Sequence, residues 1–246
     1  MAPSQGLMFG RMAPYYDLLY GPKDYRSEVR RLVALARRVG RSGGKDWLDV
    51  ACGTGRHLEF LRQDHRVAGV DRSASMLRIA RRRLPGVRLR LGDMRTFRLH
   101  RRFDVITCLF SAIGHLRTEK DLERTFANFA GHLKPGGVVM VEPWIDPAKW
   151  LEDHLAMVSY RSPTRIVVRV ADSFRRANHS YVRYHYLVAE RRRGVRHYHE
   201  TDVGLLVARA DLLGAIRKAG LTARFLGDGL SSGRGLVLGA KPLSAP

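Results

Sequence analysis

The chain has 246 residues, 45% of them hydrophobic, enough for one large α/β domain with a sizeable core. No run approaches the roughly 18–20 apolar residues of a membrane span, and the start, MAPSQGLMFGRMAPYYD, lacks a charged region followed by an apolar stretch, so a cytoplasmic protein without membrane contact is expected. The formal charge of +21 invites a nucleic-acid partner, but 37 of the 44 basic residues are Arg, scattered as RRLVALARR, HRRF and ERRRG, which reads as solvated surface with an anionic small substrate as the next choice.

The first 40 residues read as a helical lid and lead-in. In SEVRRLVALARRVG, apolar side chains fall at 29, 32, 33, 35, 36 and 39, a helical spacing with charge on the other face. From residue 46 the pattern becomes strand, glycine loop, helix: DWLDV, ACGTG, RHLEFLRQ. HRVAGVD predicts a second strand, SASMLRIARRRL a helix, VRLRLGD a third strand and RFDVITCLF a fourth. DLERTFANFAGHL predicts a helix ended by a KPGG turn, and GGVVMVEPW a fifth strand. Alternating strands and helices imply a parallel, doubly wound sheet.

After Trp144 the pattern changes. RIVVRVADSF, HSYVRYHYLVAE and VRHYHETDVGLLV are β-rich and separated by polar turns, as in an antiparallel sheet laid over the first unit. RADLLGAIRKAG predicts one more helix, and ARFLG and RGLVLGAK strands that return to the main sheet. The expected fold is therefore α/β, a Rossmann-like core over 1–150 and 204–246 with a substrate-covering antiparallel subdomain over 151–203. Cys52 and Cys108, each in an apolar strand context, read as buried thiols of a reducing compartment rather than a disulfide.

Between the first strand and helix, Ala51, Gly53 and Gly55 form a loop that lets backbone approach a ligand, beside a helix N-terminus with free N–H groups. A dinucleotide fingerprint needs a third glycine where Leu58 stands. Asp71 ends the second strand, where a carboxylate accepts from both ribose hydroxyls, and Asp93 in GDM ends the third, placed for an adenine amine. Met76 and Met94 are candidates to pack against the adenine faces. Acidic residues at successive strand ends around a glycine loop describe an S-adenosylmethionine site, with S-adenosylhomocysteine as product. His197 and His199 share a strand face, but HYHE has no other convincing ligands, so no metal is expected.

The chain also resembles the N,N-dimethyltransferases that act on TDP-linked deoxyaminosugars of natural-product biosynthesis. YYDLLY, KDY, LDVACGTGRHLEFL, MLRIARRRLP, GDMRTF, LFSAIGHL, LKPGGVVMVEPW, VRYHYLV, GVRH and SGRG carry the resemblance over nearly the whole chain. It departs at Asp71, where the family often has Glu, at Ala112, where it has Ser, and at Ile145, where it has a second Trp; VGLLVARADLL differs as well. The resemblance implies a TDP-aminosugar substrate, one or two methyl transfers, and a homodimer.

Methyl transfer to an alkylamine needs a nitrogen lone pair, so a proton must leave first. His115, just beyond the fourth strand, suits that work as base or as the group that orients the amine. Tyr16 and Tyr25 are placed to close over cofactor or sugar, Ser111 to contact either, and Trp144 to stack on sugar or base. Arg175, His185 and Arg234 are candidates for the diphosphate. Rival readings are an O- or C-methyltransferase, a nucleic-acid methyltransferase, and a non-catalytic cofactor-binding protein. The nucleic-acid reading lacks a proline-containing loop after the fourth strand, where the chain reads FSAIGH.

Overall fold

The computed structural model describes residues 6–243, so residues 1–5 and 244–246 of the expected core unit lie outside it. After a single turn at Leu7–Phe9 come α1 (Ala13–Leu19) and α2 (Tyr25–Val39), the second capped by Asp24, whose carboxylate accepts the Ser27 N–H at 2.9 Å. Then follow β1 (Asp46–Val50), α3 (Arg56–Leu61), β2 (Arg66–Asp71), α4 (Ala74–Arg83), β3 (Arg88–Leu91), β4 (Phe103–Cys108), α5 (Glu119–His132) and β5 (Leu133–Val141). Every residue of β1 and β4 is buried, as continuous apolar runs require at the centre of a parallel sheet covered on both faces.

The KPGG segment is not a free turn. The chain runs straight from α5 into β5, with a register shift opposite Phe103–Val105 and Gly136 at φ +73°. Lys134 explains it, because its ammonium donates to Asp46 (2.7 Å) and Asp104 (2.9 Å) and draws the segment alongside β4.

The second sheet is an antiparallel meander of β6 (His154–Ser162), β7 (Arg165–Arg176), β8 (His179–Glu190) and β9 (Gly194–Leu205). Three of these strands are legible in the sequence; β6 is the fourth. Last come α6 (Arg209–Lys218), β10 (Thr222–Leu226) and β11 (Leu236–Ala240). The main sheet has the order β10-β11-β5-β4-β1-β2-β3, with β11 and β10 antiparallel at one end and the rest parallel.

Helices cover both faces. α5 and α6 bury Leu122, Phe126, Phe129, Leu212 and Ile216 on one side; α2, α3 and α4 bury Leu32, Leu58, Leu61 and Leu77 on the other. Each such side chain contributes about 1.5–3 kcal/mol by leaving water. A third apolar cluster joins Met8, Met12, Tyr15 and Leu19 to Val167, Tyr186 and Val188, so α1 packs on the inner face of the antiparallel sheet. This is the expected Rossmann-like sheet with an added antiparallel sheet. The N-terminal segment sits between the two.

Candidate active site

The adjacent strands β1 and β4 end together where the strand order reverses, the place at which open α/β sheets bind ligands. Ala51 (φ 58°), Gly53 (φ 53°) and Gly55 (φ 80°) all hold left-handed backbone there. A Cβ on Gly55 would lie 2.6 Å from the Leu84 side chain, whereas one on Gly53 would meet nothing within 4 Å. Gly55 thus lets α3 pack, and Gly53 keeps the loop open towards a ligand. The Asp71 carboxylate accepts the N–H of Gly53 and of Ser73, each at 2.7 Å, and so braces the loop from the end of β2. Burial pushes this carboxyl above its ordinary value, while the Ser73 and Gly53 N–H groups oppose the shift.

Asp93 is paired with a neighbouring arginine. Arg95 grips both of its oxygens, at 2.9 and 2.7 Å, and also reaches Asp121, which holds the Asp93 carboxyl below its ordinary range. Met94 is partly buried against the main core and its carbonyl accepts from Asn128. Met76 is fully buried in α4 and presents no open face.

The N-terminal segment closes over this region. Asp17 accepts from Thr54 Oγ1 of the glycine loop (2.7 Å) and from Arg83 of α4 (2.7 Å), while Ser73 donates to the Phe9 carbonyl. The Tyr16 and Tyr20 rings lie 4.7 Å apart, tilted against each other, and Tyr20 meets Phe110 edge-on at 5.0 Å. Burial raises the Tyr16 phenol well above its ordinary value. Tyr25 opens α2, packed against His57 and beneath the Arg56 guanidinium, and burial pushes its phenol up to about 12. Both phenols therefore stay protonated donors at neutral pH.

Beyond β4 the backbone turns sharply. Phe110 (φ 53°) and Ser111 (φ 58°) are successive left-handed residues, uncommon outside glycine. Glu142, fully buried at the end of β5, holds the corner by accepting the Phe110 N–H at 2.6 Å; its Oε1 has no hydrogen-bond partner among the described residues. Ser111 Oγ donates to the Pro143 carbonyl (2.6 Å) and accepts from Arg234 (2.8 Å). One turn later, His115 stands 32% exposed, its Nδ1 3.4 Å from Asp202 of β9 and its ring edge-on to Phe9 at 5.2 Å. Gly114 is required here because a Cβ would come within 2.8 Å of the Trp144 side chain.

Trp144 bridges the two sheets. Its indole N–H donates to Ser180 of β8 at 2.9 Å, and the Arg234 guanidinium lies 4.7 Å above its ring. Beside it opens a cleft lined by Trp144, Asp146, Lys149, Arg209, Phe225 and Arg234. Three cations against one carboxylate, with Arg209 stacked on Phe225 at 4.0 Å, suit a phosphorylated ligand with a flat ring.

The structure thus brings together Ser111, His115, Trp144 and Arg234, but not two other candidates. Arg175 caps its own hairpin, donating to the Ala177 carbonyl at 2.7 Å. His185 points away from the cleft, on the outer face of the antiparallel sheet, where its Nδ1 lies 3.0 Å from His197 Nε2. The period-two alternation of β8 decides this: Tyr184 and Tyr186 face inward, so His185 cannot. The sequence reading missed Asp202, Glu142, Lys149 and Arg209. Asp202 lies two residues beyond the HYHE segment and was given no role there; the others lie in segments whose faces only the fold reveals.

A family model described as Methyltransferase domain matches residues 48–137. A dTDP-3-amino-3,6-dideoxy-alpha-D-glucopyranose N,N-dimethyltransferase of Streptomyces fradiae is 42% identical, over 94% of this chain and 91% of its own. A dTDP-3-amino-3,4,6-trideoxy-alpha-D-glucopyranose N,N-dimethyltransferase of Streptomyces venezuelae is 40% identical, over 92% and 96%. Among solved structures, Streptomyces venezuelae DesVI matches with a TM-score of 0.88 at 40% identity, over 94% of this chain and 98% of that one. CalS10, an amino pentose methyltransferase of Micromonospora echinaspora solved with S-adenosylmethionine bound, matches with a TM-score of 0.83 at 32% identity, over 97% and 100%.

Proposed function

The chain belongs to the S-adenosylmethionine-dependent dTDP-aminosugar N,N-dimethyltransferases, and from that premise we propose that it methylates the amine of a TDP-linked deoxyaminosugar twice in succession. The observation that carries this reading is the corner after β4. There an imidazole, His115, stands one turn from a serine held by Arg234, which itself faces a cationic cleft.

The residues present fit the cofactor: a glycine loop left open at Gly53, a carboxylate at the end of β2, and an aromatic cover. Ala51, Gly53, Gly55 and Asp71 would hold it, with Asp93, Met94 and Ser111 at the edges and Tyr16 and Tyr25 over it. When bound it supplies a methyl group on a sulfonium, ready for in-line displacement. The chain supplies positioning, which in well-held reactants recovers roughly 7–11 kcal/mol. Arg234, with Lys149 and Arg209, takes the diphosphate; Trp144 and Phe225 offer faces to the flat ring of the nucleotide. His115 receives the amine proton, freeing the nitrogen lone pair. Phe9, Tyr16 and Tyr20 exclude water above the reacting nitrogen, and residues 151–203 cover the acceptor.

The partner in solution is a second copy. The outer face of the antiparallel sheet exposes Leu155, Met157, Val170, Leu187 and Val195, an apolar surface suited to an isologous contact. The cytoplasm is the proposed compartment, consistent with Cys52 and Cys108 as free thiols.

Incubation with S-adenosylmethionine and a panel of TDP-linked 3-amino and 4-amino deoxysugars, followed by mass spectrometry, tests the function. One and then two added methyl groups on a single sugar are expected, and the sugar so marked reveals which carbon bears the amine. Cofactor binding with no methylated sugar in the panel would overturn the substrate class.

A further inference from the structure

The turn that carries His115 is strapped to the antiparallel sheet at three points, two on β9 and one on β8. Arg117 donates to the Val203 carbonyl at 3.2 Å, His179 of β8 lies 3.0 Å from the Arg117 carbonyl, and Asp202 Oδ1 approaches His115 Nδ1 at 3.4 Å. Asp202 is only 34% exposed, and burial alone would push its carboxyl up. The His115 imidazole, Arg117 and the Val203 N–H outweigh burial, so the carboxyl stays below its ordinary value and carries its charge at neutral pH.

A neutral imidazole has one donor and one acceptor nitrogen, and the partner of one decides the role of the other. A carboxylate can only accept. With Asp202 on the Nδ1 side, Nδ1 keeps its hydrogen and Nε2 presents its lone pair on the opposite side of the ring. We propose that Asp202 is a positioning residue for methyl transfer: it fixes His115 in the Nδ1–H form and pairs with the imidazolium that arises when Nε2 takes the amine proton. This inference rests on His115 acting as the base.

The step balances. The N–H bond of the protonated amine breaks, the nitrogen keeps the electron pair, and the proton forms a bond to Nε2. The imidazolium proton then passes to water as product leaves. Two methylations need this twice, because the singly methylated amine is again protonated in water, so the base has to be restored to the same tautomer between rounds. The other ionisable groups near the pair are Asp71 at the end of β2, which senses His115, Arg117 on the same turn, and Glu200 and Tyr184 on the inner face of the antiparallel sheet, which sense Asp202. Phe9, the remaining neighbour of the ring, carries no charge. Asp202 alone places a carboxylate oxygen against Nδ1 among the described residues.

The test compares full-length wild type, Asp202→Asn, Asp202→Glu and His115→Asn, with S-adenosylmethionine and dTDP-3-amino-3,6-dideoxyglucose as probes. Nitrogen NMR of labelled histidine, with the His115 signal assigned by its loss in His115→Asn, reports the tautomer without any turnover. The wild type should show Nδ1–H, and Asp202→Asn should lose that preference. In Asp202→Asn, kcat should fall about 10- to 100-fold, within the range general-base catalysis supplies, with both KM values nearly unchanged. Its acidic limb should move to lower pH by about half a unit to one unit, because a negative charge beside the imidazolium has gone. Asp202→Glu should bring the limb back. A protonated Nε2 in the wild type, or an Asp202→Asn limb that stays in place, would overturn the inference. A His115→Asn enzyme at full rate would instead remove the base reading beneath it, whereas a slow His115→Asn beside a fast Asp202→Asn would sink the role of Asp202 alone.

Discussion

Glu28 shows how one buried carboxylate ties three parts of the chain together. From α2 it meets His57 of α3 at 2.9 Å, Lys23 ahead of its own helix, and Ser231 near the C-terminus, while only 3% exposed. Burial pushes its carboxyl up, but the hydrogen bonds from His57, Lys23 and Ser231 outweigh that and hold it at about 2 against an ordinary 4.5. The folded value is the lower one, so the stabilisation is present above about pH 4.5 and disappears as pH falls towards 2. Glu28→Gln should therefore lose about 3 kcal/mol at pH 7, and when urea unfolding is repeated the deficit should be nearly the same at pH 5 and clearly smaller at pH 3.5. A deficit that stays constant with pH would show that lost packing, not lost charge, is the cause. At this scale the sequence was uneven. His115 could be singled out only from its place after the fourth strand together with the family resemblance, whereas its neighbour Asp202 comes from a distant strand that no local pattern connects to it. Arg175 and His185 were chosen by residue type, and residue type does not say which way a side chain faces.

Among the elements, α1 is the one whose position bears most on the cofactor. It is seven residues long, too short to hold itself together in water, and its place depends on the apolar contacts of Met12, Tyr15 and Leu19 and on Asp17. Asp17 links it to Thr54 and Arg83, and Arg83 also donates to the Thr54 carbonyl, so lid, glycine loop and α4 share one polar knot. The knot is partly solvated, which limits Asp17→Asn to about 1 kcal/mol, or roughly a fivefold weaker hold on S-adenosylhomocysteine. Calorimetric titration should show that loss, while KM for the sugar nucleotide changes less. Equal losses for both ligands would mean that α1 serves the whole chamber. The parallel strands were readable because strand, glycine and helix alternate with regular length. β6 was harder, since HLAMVSYRS mixes polar and apolar residues without a buried run. The KPGG segment misled for a related reason: the turn chemistry is local, but Lys134 is captured by carboxylates of β1 and β4.

For the whole molecule, the outer face of the antiparallel sheet is the feature that a lone chain leaves unexplained. Cross-strand neighbours Met157 and Val170, with Leu187 and Val195 nearby, stand 45–70% exposed in water. Val170→Arg should halve the mass seen by light scattering if this face joins two copies, and should leave cofactor affinity intact because α1 and the glycine loop lie elsewhere. A wild-type protein already monomeric at micromolar concentration would refute the dimer. The net charge of +21 is a property of this same scale, and it was the least informative one. Among the described residues some arginines serve salt links such as Arg95 with Asp93 and Arg183 with Asp172, and two, Arg209 and Arg234, line the cleft.

β9 has a property that follows from its alternation. Glu200 and Asp202 turn towards the Leu7–Phe9 turn and His115, while His199 and Thr201 turn to the outside. One ribbon therefore carries chamber chemistry on one edge of its rhythm and surface character on the other. Such a strand tolerates exchange of letters but not a change in their number. Inserting or deleting one residue between Tyr198 and Val203 would flip every side chain beyond it, carrying Asp202 out to solvent and a neighbour in against His115. In related chains, length should thus be kept through this stretch more strictly than identity.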